Sequence, residues 1–157
     1  MKVRLQSSPP PVHSGIRPFK TKDLPALAEL MFEAYQGTID FDPGSTLQDA
    51  LEQLEKTLQG DYGNFMPEAS FVLEEDGVPL SASLITFWAP FNCPLLAFTM
   101  TRPECKGQGL AALVMKSSMS ALYHDGYNRL GLVVTDGNAP AQRLYERLGF
   151  KPFDPET

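Results

Sequence analysis

The sequence is poor in cysteine, in long apolar runs and, over much of its length, in positive charge. Two cysteines, Cys93 and Cys105, supply no disulfide framework. No apolar stretch approaches the roughly 20 residues needed to span a bilayer, and the opening Met1–Pro11 segment carries charge without the apolar centre of a secretory signal. These absences lead to the expectation of a soluble cytoplasmic protein with no membrane partner. Residues 21–100 hold 2 Lys or Arg against 13 Asp or Glu, whereas residues 101–151 hold 7 against 4, within a net charge of −6. No basic stripe is available to neutralise phosphates along a duplex, so nucleic acid is not an expected partner. The asymmetry reads in two ways, as ordinary solvated helix faces or as a positive half receiving a polyanion while the acidic half faces a cationic amine.

At 157 residues the chain can bury one substantial core and is too short for two typical domains. Residues 1–14, with a run of three prolines, read as a flexible lead-in, and residues 15–157 as one domain. Ile16–Phe19 reads as a short strand. Thr21 or Asp23 then caps a helix with Leu24, Leu27, Met31 and Ala34 at helical spacing. Ser45 or Thr46 caps a second helix carrying Leu47, Leu51, Leu54 and Leu58, and Gly60 closes it. From Ser70 the period changes to that of strands, with Asp76-Gly77 as a hairpin signal between Phe71–Leu73 and Leu80–Trp88. Leu95–Thr101 is a continuous apolar strand, Gln108–His124 a helix with Leu110, Leu113, Val114, Ser117 and Ala121 inward, and Arg129–Thr135 another apolar strand. Strand, helix and strand make a crossover unit with parallel strands. A last helix runs from Ala139 to Leu148, with Gly149 supplying the turn after it.

Between the strand and helix of that unit lies Pro103-Glu104-Cys105-Lys106-Gly107-Gln108-Gly109-Leu110-Ala111. Gly107 and Gly109 allow a sharp turn and close approach to a ligand, and the first N–H groups of the helix have no intrahelical partner. Such a helix start favours an anion, most naturally a pyrophosphate. The segment matches neither a dinucleotide fingerprint, G-x-G-x-x-G with a later acid, nor a Walker loop with Gly-Lys-Ser/Thr.

What it resembles is motif A of the GNAT N-acyltransferase superfamily, Arg/Gln-x-x-Gly-x-Gly/Ala, with Lys106, Gly109 and Ala111 on the defining positions and Lys106 a departure from the usual Arg or Gln. Asn138, Ala141, Leu144, Tyr145, Gly149 and Phe150 likewise match the family's motif B pattern N-x-x-A-x-x-L-Y-x-x-x-G-F. The resemblance implies an α/β (α+β) fold. Its central sheet would be mixed and mostly antiparallel, with a parallel pair at the motif A unit and helices on both faces. It implies acetyl-CoA as cosubstrate, with no metal, and transfer of an acetyl group to a primary amine by direct attack in a ternary complex. The acceptor would be a small-molecule or peptide amine, expected to be cationic. A non-catalytic acyl-CoA sensor and a transferase of longer acyl groups remain as alternatives. Chains of this fold usually continue past the Gly-Phe pair into further strands. Here Lys151–Thr157 is all that follows. The sheet edge is therefore open, covered by the N-terminal segment, or completed by a second copy in a homodimer.

The resemblance also implies site residues. Backbone groups near Met100 and Thr101 would meet the pantetheine arm and thioester oxygen, and Lys106, Gly107, Gln108, Gly109, Leu110 and Ala111 would cradle the pyrophosphate. Asn138 would contact the cofactor, or act as a plain helix cap. Tyr145 would protonate the departing thiolate, although its place on the stripe Ala141, Leu144, Tyr145, Leu148 also suits a core aromatic. The connection between the first two helices would lie over the acceptor, making Tyr35, Asp40 and Phe41 candidates for substrate contact, with Glu68 and Trp88 beside them. For a general base the sequence offers Glu33, Asp61, Glu68, His124 or a water chain. Lys116, Arg102 and Arg143 could face phosphate or solvent.

Overall fold

The computed structural model describes residues 1–36, 42–134 and 137–152. Its elements in chain order are β1 (Lys2–Arg4), β2 (Ile16–Pro18), α1 (Leu24–Tyr35), α2 (Leu47–Gln59), β3 (Asn64–Phe65), β4 (Phe71–Glu75), β5 (Val78–Trp88), β6 (Cys93–Thr101), α3 (Leu110–His124), β7 (Arg129–Leu132) and α4 (Ala139–Arg147), joined in places by single 3₁₀ turns. The sheet runs β1-β7-β6-β5-β4-β2, with the short β3 against β5. Among the named strands every described pairing is antiparallel except β6 with β7. Two apolar layers cover it. On one face α1 and α2 bury Leu27, Leu30, Met31 and Leu54 against Val72, Leu84 and Met100. On the other, Met115 and Leu122 of α3 and Tyr145 of α4 pack against Ile85, Leu96 and Leu130.

Local chemistry explains most of these boundaries. Thr46 caps α2 by accepting from the Asp49 N–H at 3.2 Å, while Asp49 returns a carboxylate to the Thr46 N–H at 2.8 Å. The 4–5 hairpin turns at Asp76-Gly77 as the sequence indicates. Among the described residues no helix is long and apolar enough to cross a membrane.

Three expectations need correction. The lead-in is not a flexible tail throughout: Lys2–Arg4 forms β1, antiparallel to β7, and Val3 and Leu5 are buried. Lys2 also pairs with Lys151 on the other side, through reciprocal backbone bonds of 2.9 Å. The outer edge of β7 is thus covered by the N-terminal segment, one of the three arrangements expected. Second, the inward face of α3 is Val114, Met115, Ser117, Ser118, Ser120 and Leu122, with Leu110, Leu113 and Ala121 half-buried. Small hydroxyls let the helix lie close to β5. Ser83 Oγ donates to the Val114 carbonyl at 3.1 Å and shares a 2.6 Å hydrogen bond with Ser118 Oγ. Third, β7 ends at Leu132 instead of Thr135, and Val133 is exposed, for reasons that lie in the site.

Candidate active site

The parallel pair is short. Its register is Leu95 with Gly131 and Leu96 with Leu132, and it goes no further among the described residues. The cause lies in β6. Leu96 pairs with Ile85 and Phe98 with Leu84, so Ala97 is an extra residue, a β-bulge that bends the strand. Beyond it, β6 continues to Thr101 with no described strand beside that edge. A cleft of about 900 Å³ occupies the gap, walled by Leu96–Thr101, Val133, the start of α3, and α4.

The cradle forms one end. Gly107 and Gly109 sit at φ 85° and 79°, a region that costs other residues on the order of 1 kcal/mol or more. A Cβ at either would meet no atom within 4 Å, so backbone conformation, not crowding, calls for glycine there. Gly109 is the N-cap of α3 and supplies no side-chain cap, which leaves the first-turn N–H groups for a ligand. Asn138 caps α4, its side chain accepting from the Ala141 N–H at 3.4 Å, and it also lines the cleft. Tyr145 is 7% exposed, its ring 5.9 Å from that of Phe150. It belongs to the core cluster and to the cleft wall at once.

The structure brings together most of the residues marked in the sequence. Met100, Thr101, Lys106, Gly107, Gly109, Leu110, Ala111, Asn138, Tyr145 and Tyr35 all line the cleft. Gln108 does not, nor do Glu68 and Trp88. Glu68 lies in the turn before β4, and Trp88, at the far end of β5, pairs with Cys93 ahead of the bulge. Asp40 and Phe41 lie outside the described residues. Phe98, which the sequence places with Trp88 near a cavity bearing on acyl length, does line the cleft; Arg147 was missed, and its i, i+4 spacing from Arg143 on α4 could have flagged it.

Charge in the cleft is one-sided. Lys106, Lys116, Arg143 and Arg147 line it, and no Asp, Glu or His is among its described lining residues. Lys106 spends one N–H on the Ala34 carbonyl at 3.0 Å, and Arg102 is held by Glu33 and by the Pro79 carbonyl at 2.8 Å. Arg102 is therefore a brace for α1. The same pair occupies Glu33, one of the base candidates, and neither Asp61 nor His124 reaches the cleft. Cys105 lines the cleft with no described histidine beside it, which gives no support to a covalent route. Among the described residues no group of three or more His, Cys, Asp or Glu is gathered as for a metal.

Comparison with known proteins agrees with this geometry. Residues 25–150 match the model of the acetyltransferase (GNAT) family. The chain belongs to the GNAT family. A Bacillus subtilis protein named as an alanine N-acetyltransferase of a ribosomal protein is 27% identical over 95 residues. That match covers 60% of this GNAT chain and 58% of the relative's length. Among solved structures, the ribosomal-protein-alanine N-acetyltransferase of Escherichia coli has a TM-score of 0.67 at 24% identity, covering 88% of this chain and 78% of the other. An aminoglycoside N-acetyltransferase in complex with CoA also has a TM-score of 0.67, at 18% identity, covering 94% of each chain. Both likenesses are of fold. The bulged strand beside a parted parallel partner is where this GNAT chain keeps its cleft.

Proposed function

We propose that the chain is an acetyl-CoA-dependent N-acetyltransferase acting on a primary amine. The observation that carries this reading is the joining, in one cleft, of the two-glycine cradle at α3, four cations without a described carboxylate, and the unpaired edge of β6. A long polyanion with a peptide-like arm suits that combination. The cradle N–H groups and Lys106 hold the pyrophosphate, and Lys116, Arg143 and Arg147 attract the remaining phosphate charge. The β6 edge at Ala97–Thr101 takes the amide-bearing arm in place of a strand partner. Its backbone N–H groups polarise the thioester carbonyl. The amine nitrogen attacks that carbon, the carbon–sulfur bond breaks, and the Tyr145 hydroxyl gives its proton to the departing sulfur. The amine's own proton leaves through solvent, in keeping with the lack of a described carboxylate or histidine on the cleft wall.

The cradle provides the test. Gly109→Asp sets a carboxylate where the anion is held and demands φ 79° of a residue with a Cβ. CoA affinity measured by calorimetric titration is expected to fall at least about tenfold, about 1.4 kcal/mol. An unchanged affinity in a folded variant removes the cradle from cofactor binding. Release of free CoA from acetyl-CoA across a panel of amines, beside longer acyl-CoAs, then tests transfer and acyl length.

A further inference from the structure

The two sides of the cleft differ in chemistry. Toward α3 and α4 it shows Lys116, Arg143 and Arg147, which repel an ammonium ion. Toward the α1–α2 layer it shows Ala34, Tyr35 and Phe98, the last two half-buried members of that layer's apolar cluster. Phe98 is the first β6 residue past the bulge, level with the parted strands. Against it, beside the cleft and in ring contact with its lining though not itself a lining residue, stands Tyr62, 39% exposed, its ring edge-on to Phe98 with centroids 6.5 Å apart and an interplanar angle of 83°.

Tyr62 is held there by a built turn. The Asp61 N–H bonds to the Lys56 carbonyl at the end of α2, and the Gly63 N–H to the Gly60 carbonyl, both at 3.1 Å. Gly63 has φ 102°, and a Cβ on it would come within 2.4 Å of the Phe87 carbonyl oxygen. Only glycine lets the turn lie this close to β5. The ring is thereby placed before any acceptor arrives, and less ordering is left for binding.

Resting on the transferase reading, we propose that Tyr62 is a specificity-determining residue for the acceptor. With Phe98 and Tyr35 it forms an aromatic wall that selects primary amines carrying an aryl or alkyl substituent close to the nitrogen. Aromatic faces bury such a substituent and attract the single ammonium charge with which the amine arrives. They give a second ammonium no hydrogen-bond acceptor to replace its water, and no described lining residue is a carboxylate that could pair with one. Polyamines are therefore the disfavoured class.

The test compares the wild type, Tyr62→Phe and Tyr62→Ala with 2-phenylethylamine, methylamine and 1,4-diaminobutane, at saturating acetyl-CoA. The wild type is expected to favour 2-phenylethylamine. In Tyr62→Ala, the kcat/KM ratio of 2-phenylethylamine to methylamine should fall about tenfold through KM, in line with loss of one aromatic contact. Tyr62→Phe should retain the ratio, and the KM for acetyl-CoA should stay the same in all three, which also reports an intact fold. An unaltered ratio in Tyr62→Ala, an equal loss for every amine, or a wild-type preference for the diamine overturns the inference while leaving the transferase reading in place. A wild type that acetylates none of the amines overturns both.

Discussion

Tyr145→Phe should lower kcat by about 10²–10⁴-fold, the range a positioned general acid contributes. The substitution keeps the ring against Phe150 and on the apolar stripe of α4, and removes the hydroxyl alone. Loss of that hydroxyl costs on the order of 1 kcal/mol of stability, and CoA affinity should change little. The departing thiolate, by contrast, loses its proton donor at the moment the carbon–sulfur bond breaks. Single-turnover measurement separates this step from product release, which limits many enzymes. A Phe variant with the parent's single-turnover rate returns Tyr145 to a packing role.

The parts of this molecule legible in the sequence are those whose cause is local. The cap at Thr46, the Asp76-Gly77 turn and the cradle glycines each declare themselves within a few residues. The crossover unit shows because β6 and β7 are short apolar runs on either side of a helix. What stayed hidden depends on pairs far apart. The lead-in looks structureless by composition, yet it becomes β1 on the β7 edge that faces away from β6, where Val3 lies against Gly149. The bulge at Ala97 is a difference in register between two strands, which neither strand announces alone. The cations divide in the same way. Arg102 and Lys106 sit beside the cradle in sequence, but one braces Glu33 and the other gives a hydrogen bond to the end of α1. Tyr62 and Phe98 lie on separate segments, and only packing brings their rings together, while Tyr35 joins Phe98 in one apolar cluster from a third.

Loss of the Arg17 guanidinium should destabilise the fold by roughly 1–3 kcal/mol, between the values for exposed and for buried ion pairs, since Asp23 is buried while Arg17 and Glu74 are partly exposed. Arg17 on β2 holds two carboxylates. It gives Asp23 hydrogen bonds of 2.7 and 2.8 Å and Glu74 bonds of 2.9 and 3.1 Å. Asp23 is 6% exposed and forms the N-cap of α1, so the clamp ties the start of that helix to β2 and β4. Arg102 and Lys106 hold its far end, where Ala34 and Tyr35 enter the cleft wall. Burial by itself would raise the Asp23 pKa, but hydrogen bonds from Arg17 and from the Lys20 N–H outweigh it and leave the value below the ordinary one. Arg17 likewise lowers that of Glu74. Both native values lie below the unfolded ones of about 3.9 and 4.3, so the clamp's contribution is full above roughly pH 5 and is lost as pH falls through the native values. In Arg17→Met the Asp23 carboxylate keeps only the Lys20 N–H and the nearby Lys22 charge against burial, so its pKa rises from the native value and the pH dependence weakens. Urea midpoints should accordingly separate most between wild type and variant near pH 7 and converge toward pH 3. Parallel curves over that range, or a separation under about 0.5 kcal/mol at pH 7, would show that the clamp is a solvated surface pair.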